Sequence, residues 1–182
     1  MKMEEKMLED RWSPGLLSEV TQWLEAAYPA EGCGLILEDR EGRWIFQGCE
    51  NVIDKYHAVD PEAYPRTSRE FYMIDPREFI GAEDRGERVA VIVHSHPDVG
   101  DYFSEADVSA ALMPREEETE PLEPIYPGTD YLVVSVRQGG ADGASLFRFD
   151  EKSQGFERAF RLSEERLKGE IRSTGERAET VA

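Results

Sequence analysis

The sequence has few cysteines, few histidines and no long apolar run. Its 182 residues include only Cys33 and Cys49, too few for a scaffold held by disulfides. A reducing compartment, the cytoplasm, is therefore the predicted location. The amino-terminal segment MKMEEKMLEDRW is charged and lacks the apolar core of a secretory signal peptide, so we predict none. No apolar run approaches the roughly 18 residues of a transmembrane helix, which predicts that the chain does not cross a membrane.

Basic residues are scarce relative to acidic ones. The chain has 21 Lys and Arg against 39 Asp and Glu, for a formal net charge of −18. Because nucleic-acid phosphates attract Lys and Arg, we expect no nucleic-acid partner. The charge is compatible with a basic protein partner, with no partner selected by charge, or with solubility alone. The length and a hydrophobic content of 40% predict one globular domain with a buried core.

Helical and extended patterns alternate along the first half of the chain. Ser13 and Asp75 are capping residues that each precede a proline, which is typical of a helix start. Two apolar runs separated by a turn with Gly42 are typical of a β-hairpin. The predicted elements are a helix over 14–28, hairpin strands over 34–38 and 43–47, a loop over 54–70 and a helix over 76–85.

The second half of the chain mixes strands with a proline-rich acidic segment. An apolar stripe of Phe156, Phe160, Leu167 and Ile171 predicts a late helix. The predicted elements are a mobile loop over 113–128, strands over 131–137 and 145–149 around a glycine-rich turn, a helix over 156–171 and a frayed tail beyond Ser173. The predicted fold class is therefore α/β or α+β, with a mixed central sheet of about five or six strands flanked by helices.

A pair of histidines follows the most apolar strand signal. The β-branched run 89–93 predicts a buried strand that leads into His94-Ser-His96-Pro. Side chains alternate along a strand, so the two imidazoles point the same way. After a turn of seven residues, Ser104 opens a helix with Asp107 in its first turn. His94, His96 and Asp107 are nitrogen and oxygen ligands of the kind that catalytic zinc takes, with a fourth position left for water.

Two further residues are candidates for catalysis at such a metal. Glu31 lies between the first helix and a strand, where a carboxylate can exchange a proton with an activated water. An exposed loop carboxylate is the alternative for Glu31. Ser104 can donate its hydroxyl to the oxyanion of a tetrahedral intermediate, and the same Ser-x-x-Asp spacing is also a plain helix cap.

Other polar residues near these positions have weaker interpretations. Cys33 is a candidate ligand or nucleophile, although its place between two glycines favours a small packed residue. His57 is predicted to be solvent-facing or at the rim of a substrate site. Asp98 and Asp101 can orient a histidine or simply be solvated loop acids. The acidic cluster 116–123 is predicted to be a solvated charge run, with substrate contact as the alternative.

The five candidate site residues together resemble the JAMM motif of the JAB/MPN zinc metalloproteases. The motif is Glu31 followed by His94-x-His96-x7-Ser104-x2-Asp107. The resemblance implies a zinc ion held by His94, His96 and Asp107, with Glu31 and Ser104 in catalytic roles. It also implies a three-layer fold of the cytidine-deaminase-like kind.

The likeness extends beyond the motif and is to prokaryotic JAB-domain proteins. The stretch 31–34 resembles their glutamate-bearing strand start, and 71–76 resembles the opening of their second helix. The resemblance implies a metalloprotease domain over 14–150, followed by a carboxyl-terminal helix and tail over 151–182.

The family resemblance also implies a function and a protein partner. Its members hydrolyse peptide or isopeptide bonds, commonly after the C-terminal glycine of a ubiquitin-like protein, and prokaryotic members act on ubiquitin-like sulfur carriers. The loop 113–128 occupies the position of a substrate-contacting insertion in eukaryotic relatives, although its sequence does not match theirs. One alternative is a non-catalytic MPN-type scaffold, which generally loses motif residues that this chain keeps. Another is a different metal-dependent hydrolase or a genome-maintenance protein, which the acidic composition disfavours.

Overall fold

Six strands form one mixed sheet in the computed structural model, which describes residues 2–169 and the side chains from Lys6 onward. The helices are α1 (Lys2–Asp10), α2 (Pro14–Ala27), α3 (Ile53–Val59), α4 (Pro76–Asp84), α5 (Glu105–Ala111) and α6 (Glu164–Leu167). The strands are β1 (Cys33–Glu38), β2 (Trp44–Cys49), β3 (Arg88–Pro97), β4 (Asp130–Arg137), β5 (Gly140–Asp150) and β6 (Gly155–Ser163).

The order of the strands brings two distant segments of the chain together. The sheet runs β2-β1-β3-β4-β5-β6, with β3 parallel to β4 and every other neighbouring pair antiparallel. Because β1 and β3 run in opposite directions, Cys33 at the start of β1 is paired with His94 near the end of β3. Glu31 therefore enters the sheet beside the two histidines. The prediction of a mixed sheet of five or six strands is confirmed.

Helices cover both faces of this sheet, as a three-layer fold requires. On one face, the apolar side of α2, including Leu17, Val20 and Leu24, packs on Val91 and Val93 of β3. Ser13 caps α2 by accepting a hydrogen bond from the backbone of the third helical residue, and Pro14 fills the first position. On the opposite face, a second core includes Ile92 of β3, Ala82 of α4 and Ala111 of α5. The alternation of β3 side chains thus supplies both cores.

The helix predicted over 156–171 is wrong for its first half. Residues 155–163 form β6, which pairs with β5 and extends the sheet. The pairing skips Ala159, since Leu146 pairs with Phe160 while Phe147 pairs with Arg158. This bulge places Phe156 against one core and Phe160 against the other. The four-residue spacing of Phe156 and Phe160, which suggested a helix, therefore belongs to a bulged strand. Ile171 and the tail beyond Ser173 lie outside the described residues.

Local structure differs from the predictions in two segments and agrees with them in a third. The loop predicted over 54–70 is wrong at its start, where α3 forms with only Ile53 buried. The predicted turn around 139–143 is shorter, because β5 already begins at Gly140. The segment 113–128 has no helix or strand, as predicted, and its mobility stays a prediction. Within residues 2–169, no helix is long and apolar enough to cross a membrane.

Candidate metal centre

Two buried imidazoles meet at the carboxyl end of β3. His94 is fully buried and His96 is 3% exposed. Their Nε2 atoms lie 3.1 Å apart, so the two side chains point to the same place as the strand alternation predicted. Burial lowers the pKa of His94, because its effect is larger than that of the Asp107 charge, which raises the pKa. A neutral imidazole is the form that coordinates a metal ion.

Asp107 approaches both imidazoles from the first turn of α5. Its Oδ1 lies 3.4 Å from Nε2 of His94, and its Oδ2 lies 3.3 Å from Nε2 of His96. Ser104 caps the helix and donates to Oδ2 from its backbone N–H at 2.8 Å and from its hydroxyl at 2.6 Å. Burial alone would raise the pKa of Asp107, but the adjacent imidazoles of His94 and His96 and the hydrogen bonds from Ser104 hold it well below its usual range.

Glu31 is the fourth acidic or basic side chain at this point, and it is buried. One of its carboxylate oxygens and the ring nitrogens of His94 and His96 all lie within 4.8 Å of one another. The carboxylate is 5% exposed, so the alternative of an exposed loop acid is wrong. Its Oε2 has no hydrogen-bond partner among the described residues. Burial, aided by the charge of Asp107, raises the pKa of Glu31 to about 9.

The backbone around Glu31 is held by three polar residues that the sequence did not single out. The Glu31 N–H donates to the Ser68 carbonyl at 2.6 Å, and its carbonyl accepts from Asn51 Nδ2 at 2.9 Å. The next residue, Gly32, donates its N–H to Ser95 Oγ at 2.8 Å. Ser95 lies between the two histidines, so its position in the motif was the available signal, whereas no sequence pattern marks Asn51 or Ser68.

The two histidines are oriented in different ways. Nδ1 of His96 lies 3.2 Å from the Gly100 carbonyl, which fixes the proton on Nδ1 and leaves the lone pair of Nε2 for the metal site. His94 stacks on Tyr72, with ring centroids 4.3 Å apart and an interplanar angle of 18°. Its Nδ1 is buried without a hydrogen-bond partner among the described residues. Tyr72 was also missed, since an aromatic residue in a loop carries no local signal.

The spacing of the donor atoms fits a metal ion with tetrahedral coordination. Zinc bonds of about 2.0–2.1 Å to nitrogen and oxygen imply about 3.3 Å between neighbouring ligand atoms. The two Nε2 atoms lie 3.1 Å apart, and the two Asp107 oxygens lie 3.4 and 3.3 Å from them, Oδ1 facing His94 and Oδ2 facing His96. The buried group of Glu31, His94 and His96 can likewise hold a metal ion. The donor set is therefore the kind that zinc takes, with two carboxylates close enough to serve it.

The remaining candidate residues lie outside this cluster or are inert in it. Cys33 is buried at the start of β1, and burial raises the pKa of its thiol well above the usual range, which disfavours a nucleophile. Nδ1 of His57 lies 2.7 Å from the Tyr64 carbonyl within its own segment. The carboxylate of Asp98 accepts from Tyr28, and that of Asp101 accepts from Ser145 and Arg161. Neither acid bonds a histidine, because the Gly100 carbonyl takes that place at His96.

The acidic cluster 116–123 behaves largely as a solvated segment. All of its residues except Leu122 are exposed, including the five glutamates Glu116, Glu117, Glu118, Glu120 and Glu123. Several of its hydrogen bonds are internal, such as those from the Glu116 and Glu117 N–H groups to the Glu120 carboxylate. This agrees with the predicted solvated charge run.

Comparison with known proteins gives one family match. Residues 13–140 match the model of a family described as prokaryotic homologs of the JAB domain. No curated protein matches the chain. A solution structure of a protein from Salinibacter ruber is similar, with 24% identity, coverage of 80% of this chain and 86% of that one, and a TM-score of 0.49. A solution structure from Desulfitobacterium hafniense has 22% identity, coverage of 77% and 82%, and a TM-score of 0.47.

Proposed function

Because this chain belongs to the family of prokaryotic homologs of the JAB domain, we propose that it is a zinc-dependent peptidase or isopeptidase. The proposed metal ligands are His94, His96 and Asp107. The observation that carries the proposal is the buried pair of imidazole nitrogens 3.1 Å apart, each with an Asp107 oxygen 3.3–3.4 Å away, beside the unpartnered carboxylate oxygen of Glu31. Zinc bound there supplies a Lewis acid that activates water and polarises a carbonyl group.

Glu31 is assigned the proton transfer in this proposal. Its carboxyl group is buried and has an oxygen with no hydrogen-bond partner among the described residues, and a zinc ion beside it would favour the ionised form that accepts a proton from the attacking water. The same group then delivers that proton to the leaving nitrogen. Asp107 is the better ligand of the two carboxylates, because Ser104 holds it against both imidazoles while Glu31 keeps a free oxygen.

Ser104 is assigned the stabilisation of the oxyanion. Its hydroxyl now donates to Asp107 Oδ2, which is the capping role that the sequence also allowed. The backbone N–H of Ser104 donates to the same oxygen at 2.8 Å. The hydroxyl can therefore rotate toward a substrate oxygen without leaving that carboxylate unheld, and the two predicted roles are compatible.

The proposed substrate is a ubiquitin-like or sulfur-carrier protein with a C-terminal Gly-Gly, cleaved in the cytoplasm. This part of the proposal rests on the family. A non-catalytic scaffold is the second candidate. It is disfavoured because two carboxylates and two imidazoles buried together destabilise the folded protein, and a surface that only binds a partner does not require such a cluster.

Metal analysis and a cleavage assay test the proposal together. We expect about one zinc ion per wild-type chain and almost none in the His94→Ala, His96→Ala double mutant, because three protein ligands leave little redundancy. Full zinc occupancy in that double mutant would rule out the proposed ligands. With a fusion ending in Gly-Gly as substrate, Glu31→Gln should keep the metal and lose about 100-fold or more in turnover. Zinc binding by the wild type without cleavage would favour the scaffold.

A further inference from the structure

We propose that Arg161, on the last strand, is a positioning residue for the metal-site imidazole of His96. It acts through Asp101 and the loop 98–103, which carries the Gly100 carbonyl that His96 bonds. The inference rests on the proposed metal site and adds to it a support that lies outside the segment 13–140 matched to the family.

The first step is the bond between Gly100 and His96. Because the Gly100 carbonyl can only accept, Nδ1 of His96, 3.2 Å away, must carry the proton of this hydrogen bond. The lone pair of Nε2 is then directed toward His94 and Asp107. Partners of this kind set both the tautomer and the ring orientation of metal-binding histidines. The position of the Gly100 carbonyl therefore determines how the His96 ring faces the metal site.

The loop itself adopts a backbone that needs outside support. Asp98 and Gly100 both have positive φ angles, of 63° and 107°, and a positive φ is costly for a residue with a side chain. At the start of the loop, the Asp98 N–H donates to the Val136 carbonyl, and Arg137 donates to the Asp98 carbonyl. These bonds hold the loop on the amino-terminal side of Gly100.

Asp101 fixes the other side of Gly100. Its carboxylate accepts from Nε and Nη2 of Arg161 at 2.8 and 3.2 Å, and from the Ser145 hydroxyl at 2.7 Å. Its side chain is only 14% exposed. Burial would raise the pKa of Asp101, but the hydrogen bonds from Arg161 and Ser145 outweigh it and hold the pKa below its usual range. Without Arg161, a largely buried carboxylate would keep a single side-chain partner.

The sheet is shaped to admit this guanidinium. Arg161 on β6 pairs with Ser145 on β5, and Ser145 lies two residues after Gly143 on that strand. A Cβ atom on Gly143 would lie 2.6 Å from Nη2 of Arg161 and 3.6 Å from Cγ of Asp101. The glycine thus leaves the room in which Arg161 reaches Asp101. The last strand is therefore connected to the metal site by a continuous series of contacts, from Arg161 through Asp101 and Gly100 to His96.

A matched pair of arginine variants tests this role. Arg148 also pairs with a carboxylate through two hydrogen bonds, to Asp130 at 2.9 and 2.7 Å. Asp130 is the first residue of β4 and lies away from the metal site, since His96 pairs with the other end of that strand. The exposed fractions of the two pairs are also alike, 51% and 14% for Arg161 and Asp101 against 48% and 9% for Arg148 and Asp130. Arg148→Met is therefore the control for Arg161→Met, since both remove one guanidinium from a partly buried ion pair.

Two measurements distinguish positioning from general stability. Zinc affinity, measured by chelator competition, should fall about tenfold in Arg161→Met, the lower end of the loss caused by removing an outer partner of a metal-bound histidine. It should be unchanged in Arg148→Met and partly restored in Arg161→Lys. In the metal-free protein, the imidazole 15N signals of His96 should report an Nδ1-protonated ring in the wild type and a mixture of tautomers in Arg161→Met.

The outcomes separate this inference from the proposed function. Equal zinc affinities for Arg161→Met and Arg148→Met, with the His96 signals unchanged, would overturn the positioning role. A wild-type protein that binds no zinc would overturn the proposed function instead, and the imidazole signals of the metal-free protein would still decide whether Arg161 orients His96.

Discussion

The ring of Tyr72 lies almost parallel to the imidazole of His94, with centroids 4.3 Å apart. Because Nδ1 of His94 has no hydrogen-bond partner among residues 2–169, packing against this ring takes the place of a hydrogen bond on that side of the imidazole. His96, by contrast, is oriented by a hydrogen bond to Gly100. One metal-site histidine is thus held by an aromatic face and the other by a carbonyl group.

Removing the aromatic face should weaken metal binding. In Tyr72→Leu, loss of the stacked ring should lower zinc affinity about threefold to tenfold, as expected for an aromatic contact of roughly 0.5–1.5 kcal/mol. Tyr72→Phe is the control, because it keeps the ring and removes only the hydroxyl. Chelator competition measures both variants. An affinity loss in Tyr72→Phe equal to that in Tyr72→Leu would show that the hydroxyl, not the stacking, matters.

A second prediction concerns Asn51, whose amide makes four hydrogen bonds. Its Nδ2 donates to the Glu31 and Phe71 carbonyls, and its Oδ1 accepts from the backbone of Ile53 and Met73. Asn51→Asp keeps the acceptor and replaces the donor by an oxygen that faces two carbonyls. We expect a loss of about 2 kcal/mol or more in the free energy of unfolding, measured by urea titration.

The same variant should also affect catalysis under conditions where it is folded. Since Asn51 anchors the backbone of Glu31, a shift of that carboxylate should lower turnover while zinc binding by the three proposed ligands persists. Wild-type turnover in a folded Asn51→Asp protein would show that Glu31 is held well enough by Ser68 and by the Gly32 bond to Ser95.

The parts of the site that the sequence predicted are those encoded in short segments. An apolar run ending in His94-Ser-His96 sets a strand and a common face, and Ser104 with Asp107 sets a helix start. In each case the two residues are separated by only two or three positions, so local geometry decides where the side chains point. Glu31 was placed by family resemblance, and the structure brings it to the histidines through the pairing of β1 with β3.

The parts that were missed depend on contacts between distant segments. Asn51, Ser68 and Tyr72 act on the site across separations that no local pattern reports. The last strand was mistaken for a helix because Phe156 and Phe160 are four positions apart, as on one face of a helix, whereas the bulge at Ala159 turns them to opposite faces of the sheet. Tertiary pairing with β5 determines its conformation, and Arg161 reaches Asp101 only in that conformation.

A third prediction follows from the protonation of Glu31 in the metal-free protein. Burial raises its pKa from the usual 4.5 to about 9. Between these values the unfolded chain releases the proton and the folded chain keeps it, so stability should fall as pH rises, by up to about 1.4 kcal/mol per pH unit. The lowered pKa of His94 has the opposite effect only below about pH 6.5, where the unfolded imidazole takes up a proton.

Urea titrations of metal-free protein between about pH 7 and about pH 8 isolate the effect, because the cysteine thiols titrate higher. Glu31→Gln carries no ionisable group there and should show a flatter dependence on pH than the wild type. Parallel slopes for the two proteins would mean that Glu31 is already ionised in the folded state at neutral pH.

The last prediction concerns the residues that precede the cleaved bond. The scissile carbonyl must reach a site at the end of β3 whose three donor residues, His94, His96 and Asp107, are all at most 3% exposed. An extended glycine tail can approach such a site closely, because it has no side chains to collide with the surrounding backbone. Valines at the same positions should displace the carbonyl from its productive place and slow the reaction by about 100-fold. The measurement compares two fusions that differ only in Gly-Gly against Val-Val. Equal cleavage rates, or faster digestion of casein than of either fusion, would rule out a ubiquitin-like substrate and leave a zinc peptidase of different specificity.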